Sequence, residues 1–471
     1  MLLRPHQTAA LEGVQAVYRT GRRRALLVAP TGFGKSALTR HMLGRTTKRS
    51  LILCHRENLR DMISGSLDVP HGVIGERGDS RAKIQVGMMQ TVSRRLDKLQ
   101  EFEFVISDEA HLAMCATWRR ILQHYGKAWH LGLSATPCRE DGQGLGAEYS
   151  DIVYGMGVRE LTARGYLVPL RLFAPPIQAD LPMQSGKEFN TAADAAALDK
   201  ASITGDVIEH WRRLASGKLT LGFCGSRDHA KHCAEQFRGA GIPAAHVDGS
   251  MPKSEQDRIL ADFAARRILV LFNVDLLTTG FDCPQIECLL LLRRTKSLAL
   301  FLQMIGRALR TFLGKSEAVI IDHVGNLHVH GHPDADREWT LDGRPQRSAA
   351  ATVLMCPKCY AAHRPTPRCP SCDYVYATAV ARARKQIEQR EGKLEEIVRD
   401  EAKQFGGRSL QEALKHARSL GEDDARHALT ELQRALGYKP GWVMMQMQLR
   451  RRFRLGAGMR RSQLPASEQS A

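Results

Sequence analysis

Short apolar runs recur along the first two thirds of the chain, each bounded by polar or glycine-containing segments. In residues 1–165 they fall at 25–29, 51–54, 84–88, 104–107 and 130–133. Such continuous runs read as strands buried on both faces, and the longer stretches between them read as helices. Repeated strand–helix alternation with short connections predicts a parallel sheet covered on both sides. A second block, residues 201–345, repeats the pattern with runs at 219–224, 268–272, 288–292 and 318–321. Residues 166–200, with Pro169, Pro175, Pro176 and Pro182 and then a small, alanine-rich stretch, read as a connecting segment. Residues 377–471 read as helices of mixed charge and a basic C-terminal region. Arg450, Arg451, Arg452, Arg454, Arg460 and Arg461 cluster there, and the tail from Ser462 is expected to be disordered. The expected fold is α/β, with two parallel-sheet lobes.

Charge adds a class of partner. The 471 residues carry a formal net charge of +18, which makes a polyanion such as nucleic acid the expected partner. No apolar run reaches the length of a membrane span. The first functional pattern starts at residue 3, so a signal peptide is not expected and a cytoplasmic location is. Eleven cysteines is an odd count, and the seven scattered ones suit buried thiols in a reducing compartment better than disulfides.

The remaining four cysteines make a pattern. Cys356-Pro357-Lys358-Cys359 and Cys369-Pro370-Ser371-Cys372 are two knuckles separated by a short loop. That spacing suits one tetrahedral zinc ion with four sulfur ligands, in an element spanning 350–376 that is too short to bury a core of its own. Loss of a cysteine is expected to loosen this element and leave the lobes folded. Tyr360, His363, Arg364, Arg368, Tyr374 and Tyr376 interleave with the knuckles, as contacts either to nucleic acid or to neighbouring domains.

Behind the first strand stands Ala29-Pro30-Thr31-Gly32-Phe33-Gly34-Lys35-Ser36. A strand–loop–helix of this kind surrounds phosphates with backbone N–H groups and the positive end of a helix. Thr31, Gly32 and Gly34 shape the loop, Lys35 would reach the β- and γ-phosphates, and Ser36 would ligate Mg2+. Ala29 stands where the usual pattern has its first glycine. Asp108-Glu109-Ala110-His111 follows the strand at 104–107. Asp108 would hold the magnesium ion and Glu109 would activate a water.

Together with these two sites, further short motifs in order resemble the DEAH/DEAD-like group of superfamily-two helicases. Leu3-Arg4-Pro5-His6-Gln7 resembles its adenine-reading segment, and Cys54-His55-Arg56-Glu57 and Gln90-Thr91 its nucleic-acid contacts. Ser134-Ala135-Thr136 resembles the element that couples the two sites. Leu277-Thr278-Thr279-Gly280-Phe281-Asp282 resembles the fifth motif, and Gln303-Met304-Ile305-Gly306-Arg307-Ala308-Leu309-Arg310 the sixth. The resemblance covers residues 3–310. It implies two RecA-like lobes, residues 1–165 and 201–345, with ATP between them. It places Arg4, Gln7, Gly280 and Asp282 at the nucleotide. It makes Gln303, Arg307 and Arg310 catalytic, with the arginines on the transferred phosphoryl group. His55, Arg56, Gln90, Thr91 and Thr278 would track a strand, and Ser134 and Thr136 would couple the sites.

With the four-cysteine element and Gly437-Tyr438-Lys439-Pro440-Gly441-Trp442, the chain is most similar to RadD-type helicases and related phage helicases. That implies a role in DNA repair or recombination on single-stranded or branched DNA. It also implies single-strand-binding or recombination proteins as possible partners. RNA as substrate, translocation or annealing without strand separation, and an ATP-switched binding protein remain alternatives.

Overall fold

The computed structural model describes residues 2–75, 81–112, 115–137, 144–174, 201–277, 281–342, 353–376, 410–436 and 441–447. The chain divides into two compact units, residues 1–384 and 385–471.

The first unit contains both lobes. Lobe one is a seven-stranded, wholly parallel sheet. Its strands are β1 (Arg24–Val28), β2 (Ser50–Cys54), β3 (Gly72–Ile74), β4 (Ile84–Met88), β5 (Phe104–Ser107), β6 (Trp129–Ser134) and β7 (Asp151–Tyr154). The spatial order is β3-β4-β2-β5-β6-β1-β7. Every residue of β2 and β5 is buried, as expected for central strands with helices on both faces. The five strands expected from the apolar runs all form. β3 and β7 were not evident, because β3 is three residues long and β7 is a half-exposed edge.

Lobe two is an eight-stranded sheet in the order β10-β11-β9-β12-β13-β8-β15-β14. The strands are β8 (Leu170–Phe173), β9 (Thr220–Cys224), β10 (Ala244–Val247), β11 (Val270–Asn273), β12 (Cys288–Leu292), β13 (Ala318–Asp322), β14 (Leu354–Met355) and β15 (Ala361–His363). Two features depart from the sequence reading. Leu170–Phe173, expected in the connecting segment, pairs in parallel with β13 and so belongs to the second sheet. The four-cysteine element is not a separate module either. Its hairpin, β14 and β15, extends that sheet by antiparallel pairing of β15 with β8. Cys356 and Cys369 are buried in the same apolar cluster as Phe173, Trp211 and Phe237 of lobe two. Both differences arise from pairing between residues far apart in sequence, which local patterning does not report.

Between the lobes the apolar packing is continuous, with Leu27, Phe33, Leu167, Met304 and Leu309 in one cluster. A segment after lobe two returns to lobe one. Gly146 donates its N–H to the Leu341 carbonyl at 2.8 Å, and Arg159 pairs with Asp336 at 3.1 Å.

In the second unit the helices Leu410–Ser419 and Glu422–Leu436 pack through Ala417, Ala425, Leu429 and Leu432, with Trp442 and Met447 against them. The connecting segment from 175 to 200, the arginine cluster at 450–461 and the tail from Ser462 lie outside the described residues. None of the described helices is long and apolar enough to cross a membrane.

Candidate functional site

The chemistry-bearing residues of lobe one sit at the C-terminal ends of its parallel strands, where an open α/β sheet presents loops to a ligand. β1 ends at Val28 and runs into the phosphate-loop pattern, and the helix Lys35–Leu43 starts directly behind it. Gly34 is left-handed at φ +92°, a conformation that favours glycine, and a Cβ there would stand 2.3 Å from Gln7 Nε2 and displace that side chain's end. Lys35 Nζ donates to the Ala29 carbonyl at 2.8 Å and to that of Pro30 at 3.4 Å. Its pKa is lowered by burial, against which Glu109 and Asp108 pull it up.

Asp108 and Glu109 follow β5. Glu109 is in the left-handed region at φ +50°, a conformation that costs a non-glycine residue about 1 kcal/mol or more. Asp108 Oδ1 accepts the Glu109 N–H at 3.1 Å. Burial and the neighbouring Glu109 raise the Asp108 pKa to about 6 despite the opposing pull of Lys35. A carboxylate held in that state gains from a cation brought beside it.

Behind the acids lies a polar relay that the motifs alone did not reveal. Glu109 Oε2 is 3.5 Å from His111 Nδ1, and His111 Nδ1 is 3.0 Å from Ser134 Oγ. Ser134 Oγ donates to the Thr136 carbonyl at 2.7 Å and accepts the Thr136 N–H at 3.1 Å. With its hydroxyl hydrogen so committed, Ser134 accepts from His111, which places a proton on Nδ1. Burial, with Lys35 adding to it, lowers the His111 pKa to about 4. At neutral pH His111 is therefore uncharged, and its approach to Glu109 is not an ion pair.

Lobe two closes the cleft. Helix Leu298–Gly306 carries Gln303 and ends beside the phosphate loop, where a Cβ on Gly306 would lie 2.3 Å from the Thr31 side chain. Arg307 donates to the Phe281 carbonyl and Arg310 to the Asp282 carboxylate, so both guanidiniums rest on lobe-two acceptors. A cavity of about 400 Å³ is lined from lobe one by Arg4, Gln7, Thr31, Gly32, Gly34, Lys35, Ser36, Asp108 and Glu109. Asp282, Gln303, Arg307 and Arg310 line it from lobe two. These are the predicted nucleotide-site and catalytic residues that fall within the described chain. Gly280 and Thr278 lie outside it. Tyr166, which the motifs did not single out, also lines the cavity.

The predicted nucleic-acid residues do not line this cavity. His55 and Arg56 follow β2, and Gln90 and Thr91 follow the adjacent β4, so they share another part of the same sheet edge. Arg56 Nη1 reaches across to the Asp275 carbonyl of lobe two at 3.3 Å. Among the described residues, both ring nitrogens of His55 are buried without a hydrogen-bond partner, and burial lowers its pKa to about 4.

The four sulfur atoms of Cys356, Cys359, Cys369 and Cys372 lie within 4.8 Å of one another. Cys356–Cys372 and Cys359–Cys369 are each 3.6 Å apart. A tetrahedral ion with four sulfurs at about 2.3 Å separates them by about 3.8 Å, so this set fits one zinc ion and no disulfide. Several aromatic and basic residues between the knuckles are used inward. His363 Nε2 contacts the Tyr376 hydroxyl at 2.9 Å, Arg364 pairs with Asp334 at 2.7 Å, and Arg213 lies over Tyr360. Cys224, His229 and Cys233 also gather, buried, in lobe two. Three ligands in an apolar interior suit core packing as well as a metal.

Comparison with known proteins agrees with this architecture. Residues 1–139 match the model of the type III restriction enzyme res subunit, and residues 200–312 match the helicase conserved C-terminal domain. A "51.5 kDa protein" of Lactococcus phage (isolate 7-9) is 34% identical over 346 residues, which cover 71% of this chain and 74% of the phage protein. The Schizosaccharomyces pombe protein named "Putative mitochondrial ATP-dependent helicase irc3" is 30% identical, over 69% of this chain and 58% of that protein. The chain thus spans little more than half of the fission-yeast relative. In fold it is similar to the ATP-dependent type ISP restriction-modification enzyme LlaBIII bound to DNA. The TM-score is 0.53 at 17% identity, covering 69% of this chain and 28% of the other. The chain belongs to the superfamily-two helicases, and within them it is an ATP-hydrolysing enzyme with two RecA-like lobes.

Proposed function

We propose that this chain is a DNA motor that couples ATP hydrolysis in the interlobe cleft to movement along, or separation of, DNA strands. The observation that carries the reading is the meeting of the phosphate loop, the two acids and two lobe-two arginines on one cavity. In this reading Lys35 and the loop N–H groups hold the phosphates, and Ser36 and Asp108 hold Mg2+, which neutralises phosphate charge when bound. Glu109 orients and deprotonates the attacking water. Arg307 and Arg310 leave Phe281 and Asp282 to meet charge developing on the transferred phosphoryl group, which requires the lobes to shift. Gln303 steadies that approach. Ser134, through His111, reports the state of Glu109 to the sheet edge. There His55, Arg56, Gln90 and Thr91 contact backbone phosphates, which position a strand without reading its sequence. Thr278 and Gly280 complete the two sites by resemblance.

The four cysteines hold zinc as a structural ion. Single-stranded or branched DNA is the favoured substrate, given the net charge of +18 and the RadD-type resemblance. The same resemblance supports a repair or recombination role in the cytoplasm, with single-strand-binding or recombination proteins as partners. The test is ATP turnover with single-stranded, double-stranded and forked DNA and with RNA, beside a strand-displacement assay. Stimulation by forked or single-stranded DNA is expected, and Glu109→Gln should keep ATP binding and lose about a hundredfold or more in turnover. Turnover indifferent to every nucleic acid would reject the motor reading.

A further inference from the structure

Gln7, the buried amide of the adenine-reading segment, has little hydrogen-bonding capacity left to offer a base. Gln7 Nε2 donates to the Phe33 carbonyl at 3.2 Å and to that of Gly34 at 3.4 Å. Its Oε1 already accepts the Arg4 N–H at 2.9 Å. Both amide hydrogens are therefore spent on the phosphate loop, and one lone pair remains for a base. A single neutral hydrogen bond contributes little net affinity, so the cavity needs a second source of grip on the base.

Tyr166 supplies a surface of the right kind. Phe33 on the same lining is fully buried, whereas Tyr166 is half-exposed toward the cavity. Gly165, left-handed at φ +72°, turns the chain after the helix Val158–Ala163, and the Tyr166 N–H then bonds the Leu161 carbonyl at 2.8 Å. The next two residues are tied to the arginine-bearing segment of lobe two. Leu167 forms a β-bridge with Arg310, and the Val168 N–H meets the Leu309 carbonyl at 2.9 Å. His6 backs the ring at a centroid distance of 4.5 Å, and the Arg4 guanidinium carbon lies 5.2 Å over it. The ring is thus fixed from behind, with an exposed cation on its open side.

We infer that Tyr166 is a nucleobase-positioning residue: it holds the Arg4 guanidinium over its ring as a stacking platform on which the base of the nucleotide lies. Guanidinium and aromatic faces both stack on purines, and such contacts are worth about tenfold in affinity. The inference rests on the assignment of this cavity to ATP.

The test compares ATP with inorganic tripolyphosphate, which has the phosphates and no base, on the full-length chain by equilibrium binding. Tyr166→Ala should weaken ATP about tenfold and leave tripolyphosphate unchanged, and Tyr166→Phe should bind both as the wild type does. Tyr166→Trp adds a direct reading, since its added emission should change with ATP and not with tripolyphosphate. The platform is overturned if Tyr166→Ala binds ATP as the wild type does. It is equally overturned if ATP and tripolyphosphate weaken together, because the residue would then serve only the lobe junction. If Tyr166→Ala does not fold, unchanged emission of Tyr166→Trp on saturation with ATP overturns it alone. Failure of the wild type to bind ATP would instead defeat the assignment of the cavity.

Discussion

Replacing Asp108 by Asn should make the metal-free protein more stable while disabling it. The Asp108 carboxyl has a pKa of about 6 in the fold against an ordinary value of 3.8, with burial the leading cause and Glu109 the second. A carboxyl raised in this way favours the folded state only while protonated. Its contribution is full below pH 3.8 and is lost as the pH rises through 6. Two pK units at about 1.4 kcal/mol each make the ionised group cost about 3 kcal/mol at pH 7.5. Asn cannot ionise and escapes that cost. For a lobe of this size the gain corresponds to a rise of roughly 6–12 °C in its melting temperature. At pH 5, where Asp108 is mostly protonated in the fold and mostly ionised in the unfolded chain, about half of the gain should remain. The assay is thermal melting of both proteins without magnesium or nucleotide at pH 7.5 and 5. Equal melting temperatures at pH 7.5, or a gain that does not shrink at pH 5, would refute the reasoning. ATP hydrolysis by the Asn variant should fall about a hundredfold or more, since in the proposed mechanism the charge that strains the fold is the one that would hold the metal.

The remaining predictions address coupling and metal. Ser134→Ala removes the acceptor of His111, so it should reduce strand displacement more than ATP hydrolysis. Equal losses in the two assays would confine Ser134 to the hydrolytic site. The four-cysteine set should hold one zinc ion per chain by elemental analysis. Cys359→Ser should lower the melting temperature of lobe two as well as zinc content, because the hairpin is hydrogen-bonded into the lobe-two sheet. A variant that loses zinc with unchanged lobe melting would show that the sheet extension stands without it.

What the sequence made legible follows from how local each feature is. The phosphate loop, the Asp108–Glu109 pair and the paired knuckles are set by spacings of a few residues at strand ends or in tight loops. Local residue order and spacing suffice to mark them. Central strands such as Cys288–Leu292 were equally plain, because burial on both faces leaves an unbroken apolar run. The relay through His111 and Ser134 was not legible, since those residues are 23 apart in sequence and meet only when β5 and β6 pair. Tyr166 was missed for the same reason. Its local sequence is a glycine turn and an aromatic, and only the bridge from Leu167 to Arg310 brings it to the cavity.

The placement of the cysteine hairpin changes what such an element does in this chain. Asp334 accepts from Arg364 of the hairpin and contacts His332. Two residues on, Asp336 pairs with Arg159 of lobe one, and the Trp339 carbonyl accepts from Tyr154 at the edge strand β7. One short strap thus joins the metal element, the lobe-two sheet and the outer edge of the lobe-one sheet. Exposed ion pairs of this kind contribute little individually, so the strap does not hold the lobes together by its charges. Its weight lies in geometry: β15 is pinned to β8, β8 to β13, and the strap leaves the same lobe for lobe one. Any movement of lobe two that carries Arg307 and Arg310 toward the phosphates must carry the hairpin with it. The four-cysteine hairpin is therefore built into the framework of lobe two, with Tyr374 and Val375 left as its partly exposed apolar tip.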